Sequence, residues 1–334
     1  MTGPWQALAG AALRLRRRWY RGRARRQPVP VVSIGNLHLG GTGKTPLTAA
    51  VAGHLRDRGR RVAILSRGYR RRTRGLLWVS RGDGLLVEPL DAGDEPALLA
   101  ETVPGVAVVV AEDRFAAGAA AVGDAGFGAD VLVLDDGFSH VRLARDVDIL
   151  AFPWADPLGG ARLAPSGTLR EPLSAVVHAD AAVLTGADAE AGAETDRLAA
   201  RLGAAGFRGR VFAAATRARC REPCLPGPRV LVTGIARPER VVVSASELGL
   251  SIVDHLALPD HHPYPDSSLR RISEAVARHR AVGIATTAKD AVKLRGRIDD
   301  MVVIDVDAVP EADFWSWLDY DSAISNSGSP PSTD

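Results

Sequence analysis

A glycine-rich loop between an apolar run and a helical segment constrains the fold of this chain more than any other feature. Gly40-Gly41-Thr42-Gly43-Lys44-Thr45 follows Val29–Ile34, which reads as a buried strand, and precedes a helix predicted from about Thr45 to Arg58. In such a loop the backbone N–H groups converge on phosphate oxygens, and the helix N-terminus adds partial positive charge. Lys44 would reach the β- and γ-phosphates of ATP, and the Thr45 hydroxyl would bind Mg²⁺. The pattern predicts a P-loop, although His38 stands where the strict motif has glycine.

Apolar runs and helical segments alternate along most of the chain. This alternation is typical of a parallel sheet with helices on both faces. We therefore expect an α/β fold of the P-loop NTPase type, followed by a smaller α/β C-terminal domain. The predicted strands are Val29–Ile34, Arg61–Leu65, Val106–Val110, Val131–Leu134, Val147–Phe152, Ala181–Thr185, Val211–Ala215, Val230–Thr233, Ser251–Leu258, Gly283–Thr287 and Met301–Val306. The predicted helices are residues 5–21, Thr45–Arg58, Gly93–Thr102, Arg114–Val122, Pro238–Leu248 and Ser267–His279.

Composition divides the chain into four predicted segments. They are a basic helix at a membrane surface (1–26), a P-loop domain (27–207), the smaller domain (208–320) and a tail (321–334). The tail is rich in Ser, Pro and Asp and is expected to be disordered. The two cysteines, Cys220 and Cys224, are too few for a disulfide framework, which favours a reducing compartment.

The first predicted helix is amphipathic and strongly basic. Trp5, Leu8, Ala12, Leu15 and Trp19 recur every three or four residues and share one face, and the opposite face carries arginines 14, 17, 18 and 21. Tryptophan combined with arginine favours an anionic membrane surface as a partner. A surface helix packed on its own domain is the alternative. No apolar run reaches the ~18 residues needed to cross a bilayer, and no nucleic-acid partner is predicted.

Carboxylates close one of the predicted strands. Asp135 and Asp136 end the apolar run Val131–Leu134. Two adjacent carboxylates repel each other unless a cation lies nearby, so the pair indicates an Mg²⁺ site. A strand-end turn with an exposed aspartate is the alternative.

Polar residues also cluster at other segment ends. Phosphoryl transfer to an alcohol requires a base or orienting group for the hydroxyl and positive charge for the phosphates. Asp94, with His261 or His262, is a candidate for the first role, and Arg67 and Arg170 are candidates for the second. Each has a structural alternative, for example Asp94 as a helix cap. Of 42 basic residues only three are lysines, and Lys44, Lys289 and Lys293 all lie in candidate site segments.

Nine ordered motifs identify a family that the chain resembles. They are Ser33-Ile34-Gly35-Asn36-Leu37, Gly40-Gly41-Thr42-Gly43-Lys44-Thr45-Pro46, Leu65-Ser66-Arg67-Gly68-Tyr69, Gly93-Asp94-Glu95-Pro96, Asp135-Asp136-Gly137-Phe138, Leu169-Arg170-Glu171-Pro172-Leu173, Gly234-Ile235-Ala236-Arg237-Pro238, Asp260-His261-His262 and Lys289-Asp290-Ala291-Val292-Lys293. In this order they resemble the tetraacyldisaccharide 4′-kinase family of the lipid A pathway. Ser139, Ala288 and Arg70 stand where that family usually has Gln, Glu and Gly.

The resemblance implies a function and a site. Residues 27–207 would form a kinase domain that uses ATP and Mg²⁺ to phosphorylate the 4′-hydroxyl of a tetraacyl glucosamine disaccharide 1-phosphate. The enzyme would lie peripherally on the cytoplasmic face of the bacterial inner membrane. Asp94 and His261 would form a hydroxyl-activating dyad beside the catalytic residues Lys44 and Arg170, and Thr45 and Asp136 would bind Mg²⁺. The implied substrate-binding residues are Asn36, Arg67, Tyr69, His140 and Glu171.

A membrane-associated partitioning-type P-loop switch ATPase is the alternative function. Such proteins share a Gly-Gly-x-Gly-Lys-Thr loop and an amphipathic membrane helix. Their loop begins with a signature lysine, whereas Leu39 stands here, and they lack a second unit with Asp260-His261-His262.

Overall fold

Twelve strands form one continuous sheet within the residues that the structure describes, which are 4–20, 22–123, 127–187, 191–223, 226–320 and 324. The structure is a computed structural model. The strands are β1 (Val31–Gly35), β2 (Val62–Ser66), β3 (Leu77–Arg81), β4 (Ala107–Val110), β5 (Val131–Asp135), β6 (Val147–Pro153), β7 (Ala181–Ala187), β8 (Arg210–Cys220), β9 (Arg229–Thr233), β10 (Ile252–Ala257), β11 (Gly283–Thr287) and β12 (Met301–Pro310). Their spatial order is β10-β9-β11-β12-β8-β7-β6-β1-β5-β2-β4-β3.

Helices connect most of these strands. They are α1 (Pro4–Tyr20), α2 (Lys44–Asp57), α3 (Pro89–Ala92), α4 (Asp94–Thr102), α5 (Arg114–Val122), α6 (Ala191–Ala204), α7 (Pro238–Glu247), α8 (Asp266–His279), α9 (Ala288–Leu294) and α10 (Ala312–Tyr320). Two 3₁₀ turns, Gly159–Ala161 and Leu173–His178, lie between β6 and β7.

Side chains alternate between the two faces of the sheet. In β2, Val62 and Ile64 pack into the core that includes α2, whereas Ala63 and Leu65 pack into the core that includes α5. Because residues i and i+2 of a strand share a face, one short strand supplies both cores. Helices therefore cover both faces, and the predicted α/β class is confirmed.

β8 joins two parallel blocks of strands. It pairs parallel with β7 and antiparallel with β12, whereas β9 to β12 are parallel to one another. The predicted domain boundary at residue 208 falls just before β8, and the division into two domains stays a prediction. Val292, Phe314 and Leu318 from the C-terminal part pack into the same core as α2.

Short or edge elements were not predicted from the sequence. β3 is an antiparallel edge strand whose burial is only partial, and α9 has seven residues, too few to show helical periodicity. The predicted tail lies outside the described residues except for Ile324, which is buried and whose carbonyl accepts a hydrogen bond from Arg60 at 2.7 Å. Cys220 is disulfide-bonded, in contrast to the reduced cysteines expected, and Cys224 lies outside the described residues.

A buried arginine links α4 to the β8–β12 pair. The Arg221 guanidinium contacts Asp305 at 2.8 Å and Glu101 at 2.9 Å, and it donates a hydrogen bond to Thr102 Oγ1 at 2.7 Å. All three ionic side chains are largely shielded from water. Removing one member of such a group leaves charge in a poorly solvated place.

We expect Arg221→Ala to lower the free energy of unfolding by about 3 kcal/mol, because Asp305 and Glu101 would lose their shared partner. Chemical denaturation monitored by circular dichroism measures the change. Arg210→Ala is the control, since Arg210 lies 3.8 Å from Asp313 in an exposed pair and should contribute less than about 1 kcal/mol. Equal losses in the two variants would contradict the role given to Arg221.

Candidate active site

The C-terminal ends of neighbouring parallel strands carry the polar residues of the site. Asn36 follows β1, Arg67 follows β2, Glu112 lies beyond β4 and Asp136 follows β5. These four strands are adjacent in the sheet and parallel, so their ends meet at one edge. The motifs that carry these residues come together because β1, β5, β2 and β4 are neighbours in the sheet.

The phosphate loop has the geometry expected of a nucleotide cradle. Gly43 immediately precedes α2 with φ +75°, and a Cβ there would lie 3.0 Å from Thr185. Asn36 Nδ2 donates to Thr42 Oγ1 at 2.8 Å, and Thr185 Oγ1 donates to the Thr42 carbonyl at 2.7 Å. These bonds hold the loop while its glycines leave the backbone approachable.

A second segment braces this loop. Leu39 N donates to the Thr168 carbonyl at 2.7 Å, and Arg170 N donates to the Leu37 carbonyl at 2.7 Å. His38, the departure from the strict glycine pattern, is buried against Phe152, and its Nε2 lies 2.8 Å from the Pro157 carbonyl. His38 is therefore a packing residue, and the backbone contacts carry Arg170 to the phosphate loop.

Asp136 forms the charged centre of the phosphate side. Arg170 Nη1 donates to its Oδ2 at 2.7 Å and Nη2 donates to its Oδ1, while Lys44 Nζ lies 3.5 Å from Oδ1. Burial works against ionisation, but the hydrogen bonds from Arg170 and the charge of Lys44 outweigh it and lower the pKa of Asp136 to about 2. The predicted residues Lys44, Asp136 and Arg170 are thus in contact.

Asp135 differs sharply from its neighbour. It is fully enclosed beneath the site, where Thr48 Oγ1 donates to it at 3.2 Å and Ser66 Oγ at 3.3 Å. Burial, followed by the nearby charges of Glu95 and Asp136, raises the pKa of Asp135 to about 7. Of the two carboxylates, Asp136 is the better Mg²⁺ ligand, since it is ionised, partly exposed and beside the P-loop lysine. Thr45, half-buried in the first turn of α2, supplies a second oxygen of the type that Mg²⁺ prefers.

A second cluster surrounds Asp94 at the start of α4. His261 Nδ1 lies 2.9 Å from Asp94 Oδ2, and Lys293 Nζ donates to the same oxygen at 2.9 Å. Gly93, with φ +94°, permits this placement, because a Cβ there would lie 3.1 Å from the Tyr69 carbonyl. Asp94 Oδ1 accepts no hydrogen bond within the described residues. Glu95, the next residue, helps to raise the pKa of Asp135, so the two clusters lie within electrostatic reach.

The two adjacent histidines have different partners. His261 Nε2, on the far side of the ring from Asp94, lies 3.4 Å from Lys289 Nζ, and the exposed Tyr69 ring lies edge-on at 6.2 Å. His262 Nε2 instead lies 2.8 Å from Ser268 Oγ. The structure brings His261, and not His262, to Asp94.

The other residues predicted to bind substrate are either exposed near the site or packed within the protein. Arg67 is exposed beyond β2, and Arg70 adopts φ +60°, the left-handed region in which the family usually has glycine. Burial and the charge of Arg114 lower the pKa of His140 to about 4, so its ring is neutral at pH 7. Glu171 is buried, pairs with Arg17 at 3.3 Å and accepts a hydrogen bond from Ser139 Oγ at 2.9 Å. Its carboxylate is thus used within the protein.

Sequence reasoning missed two basic residues of the site. Arg114 is buried at the start of α5, where burial and the charge of Arg67 lower its pKa to about 10 and the aspartates 135 and 136 oppose the shift. Its position just beyond β4 was the available signal. Lys293 was noted as one of three lysines, but its contact with Asp94 spans 199 residues and has no local signature.

Helix α1 is oriented differently from an ordinary packed helix. Leu8 and Leu15 are each 67% exposed and Trp19 is 60% exposed, whereas the Arg17 side chain is only 7% exposed. Arg17 lies over the Phe138 ring at 4.1 Å and donates to the Phe138 carbonyl at 3.0 Å. The apolar stripe identified from the sequence therefore points outward, and Arg17, predicted on the opposite face, packs inward. In the described part of the chain, no helix is both long enough and apolar enough to span a membrane.

Known proteins are similar in sequence to this chain along nearly its whole length. The profile of the tetraacyldisaccharide-1-P 4′-kinase family, LpxK, matches residues 2–322. The chain belongs to this family. The tetraacyldisaccharide 4′-kinase of Pelobacter propionicus is 40% identical over 299 residues, which cover 88% of this chain and 82% of that protein. That of Anaeromyxobacter sp. strain Fw109-5 is 43% identical over 282 residues, which cover 80% and 74%.

A solved LpxK structure extends the match to three dimensions. LpxK from Aquifex aeolicus, in complex with ATP, aligns with a TM-score of 0.76 at 29% identity and covers 97% of each chain. The chain is therefore a P-loop kinase that uses ATP and transfers a phosphoryl group to a hydroxyl. The predicted family and kinase function are confirmed, and the switch-ATPase alternative is not supported.

We expect Gly43→Ala to lower the free energy of unfolding by about 1–2 kcal/mol, because alanine is strained at positive φ and its Cβ would crowd Thr185. Thermal denaturation of the ATP-free protein measures the effect. Gly41→Ala is the matched control, since Gly41 lacks a positive φ and a Cβ there would meet nothing within 4 Å. If both variants lost the same stability, the strain at Gly43 would not be the cause.

Proposed function

We propose that this LpxK family member transfers the γ-phosphate of ATP to the 4′-hydroxyl of a tetraacyl glucosamine disaccharide 1-phosphate, using Asp94 as the base. The observation that carries the mechanism is the 2.9 Å contact between Asp94 Oδ2 and His261 Nδ1. It fixes one carboxylate oxygen and leaves Oδ1 to take the proton of the acceptor hydroxyl. A base must lie within hydrogen-bond reach of that proton. Glu95, next to Asp94, lies within electrostatic reach of Asp135 on the phosphate side.

His261 orients the base. His261 Nδ1 would donate to Asp94, while Nε2, on the far side of the ring, lies 3.4 Å from the Lys289 ammonium. When Asp94 gains the proton, His261 keeps the carboxyl group in place. His262, bonded to Ser268, has no such role.

Positive charge on the phosphate side comes from Lys44 and Arg170. Both contact Asp136, which holds their charges in place beside the phosphate loop. Thr45 and Asp136 would hold Mg²⁺, which would supply charge neutralisation for the phosphates. Asn36, Arg67, Tyr69 and His140 would line the cleft between this cluster and Asp94, and Glu171 would support it through Arg17 and Ser139.

The outward apolar face of α1 supports a peripheral membrane location. Leu8, Leu15 and Trp19 form an exposed stripe, and exposed Arg14 and Arg18 flank it. A stripe of this kind inserts at the level of the headgroups, and the arginines attract anionic lipid. The substrate is itself an anionic lipid, so the helix would bring the active site to it. Because ATP is a cytoplasmic nucleotide, the location that we propose for this surface is the cytoplasmic face of the bacterial inner membrane.

Radiolabel transfer from [γ-³²P]ATP to tetraacyldisaccharide 1-phosphate in mixed micelles with Mg²⁺ tests the function. A labelled bisphosphorylated lipid is the expected product. ATP hydrolysis without lipid labelling would reject the proposed acceptor and favour the alternative function of a switch ATPase.

We expect Asp94→Ala to lower kcat by about 10²–10⁴-fold while KM for ATP changes little, because a general base contributes this much and does not bind nucleotide. His261→Ala should also lower kcat, through loss of orientation of Asp94. His262→Ala is the matched control, since it removes a neighbouring imidazole that contacts Ser268. Normal turnover by Asp94→Ala, or an equal loss in His262→Ala, would exclude the dyad.

We expect the double variant Leu8→Glu, Leu15→Glu to bind anionic phospholipid vesicles at least tenfold more weakly, because burial of each leucine contributes about 1.5–3 kcal/mol. Vesicle co-sedimentation at two salt concentrations measures the affinity. Val243→Glu changes an exposed apolar residue of α7 and should bind like the parent protein. Unchanged binding by the double variant would show that α1 is not the membrane contact.

A further inference from the structure

The proposed mechanism leaves one buried charge unexplained. Lys293 lies on α9, its side chain is 3% exposed, and its Nζ is 2.9 Å from Asp94 Oδ2. It lies on the dyad side of the site, apart from the Lys44–Asp136–Arg170 cluster. An ammonium group is placed in such a shielded position only when carboxylates compensate its charge.

The partners of Lys293 are fixed by separate elements. On α9 itself, Asp290 Oδ1 lies 3.9 Å from Lys293 Nζ. Asp290 is fully buried, and its Oδ2 accepts hydrogen bonds from Gly234 N at 2.8 Å and Thr287 Oγ1 at 2.8 Å. The Tyr264 ring lies 5.6 Å from the ammonium. Lys293 is therefore held from the C-terminal side while it reaches across to α4.

Asp94 Oδ2 consequently accepts hydrogen bonds from two directions. His261 comes from the loop after β10 and Lys293 comes from α9. Two donors on one oxygen prevent rotation of the carboxylate and leave Oδ1 directed away from both. The titratable and charged groups that face Asp94 are His261, Lys293 and, beyond them, Asp290, Lys289, Tyr69 and Tyr264. His261 and Lys293 contact Asp94 directly, and Lys293 is the one that supplies an ammonium group.

We propose that Lys293 is a positioning residue that holds Asp94 Oδ2 and keeps Oδ1 aimed at the acceptor hydroxyl. The inference rests on the proposed role of Asp94 as base. A hydrogen bond from an ammonium group to a carboxylate is stronger than one between neutral groups, so Lys293 restrains Oδ2 firmly. Because Lys293 contacts Oδ2, Oδ1 is left for the acceptor hydroxyl.

The test measures kcat and KM for ATP in Lys293→Gln and Lys293→Arg. Loss of the charged donor leaves Asp94 free to rotate, so kcat of Lys293→Gln should fall by about tenfold or more. KM for ATP should stay within about twofold, because the phosphate loop is unaltered. Lys293→Arg keeps a charged donor and should recover most of the parental kcat. Parental kcat in Lys293→Gln, or a rise in KM for ATP that matches the fall in kcat, would overturn the proposal.

Arg295→Gln is the matched control. Arg295 lies two residues further along, is half exposed and pairs with Glu101 at 3.3 Å, so its loss removes the same charge without touching Asp94. An equal fall in kcat in this variant would attribute the effect to overall charge and overturn the proposal. If Lys293→Gln does not fold, the double variant Lys293→Gln, Asp290→Asn removes one buried charge of each sign and carries the same expectation.

The Asp94→Ala variant distinguishes failure of the proposed base from failure of the proposed role of Lys293. Full activity in that variant would reject the base, and with it the proposed mechanism. An inactive Asp94→Ala together with parental kcat in Lys293→Gln would reject the role of Lys293 alone.

Discussion

The antiparallel pairing of β8 with β12 is the contact on which the active site depends. It runs from Ile304 opposite Cys220 to Pro310 opposite Ala214. Because β8 also continues the parallel order from β7, this pairing fixes the C-terminal block of strands against the P-loop block. α9 then packs on α4, and residues separated by 167 and 199 positions in the sequence meet at Asp94. A backbone ladder of this length is stiff, which suits a site that needs its base within a fraction of an ångström.

Buried charge is handled in opposite ways on the two sides of the site. Asp136 is ionised because Arg170 and Lys44 surround it, whereas its neighbour Asp135 has only hydroxyl donors and a pKa of about 7. Asp135 ends β5 and is buried, whereas Asp136 follows it in the left-handed region with φ +55° and meets the phosphate side. On the second side, Asp94 and Asp290 share the ammonium of Lys293. Asp136, Asp94 and Asp290 thus each have a cation close by, whereas burial raises the pKa of Asp135.

Helix α1 combines an inward-facing charge with an outward-facing apolar stripe. Arg17 packs inward against Phe138 and Glu171, and Ala9 and Leu13 also pack against the protein. Leu8, Leu15 and Trp19 face outward. Arg17 links the helix to Phe138, which precedes Ser139, and to Glu171, which lies in the loop that carries Arg170. The same helix therefore offers a membrane surface on one side and supports the phosphate side of the site on the other.

The sequence by itself determined the P-loop, the α/β class, the family and most of the strands. Each of these is encoded locally: apolar runs specify buried strands, glycines permit positive φ beside a phosphate, and a lysine and a threonine begin α2. Asp94, Asp136 and Arg170 were also named from local motifs and family resemblance.

Only the tertiary structure decided which residues meet. It placed His261 rather than His262 against Asp94, added Arg114 and Lys293, used Glu171 inside the protein and turned Arg17 inward. It also revealed β3 and α9, which are too short or too exposed for their sequences to show the periodic apolar pattern of a strand or helix. The physical reason is that these contacts join segments far apart in the chain. Their geometry follows from strand pairing and helix packing, which local sequence patterns do not record.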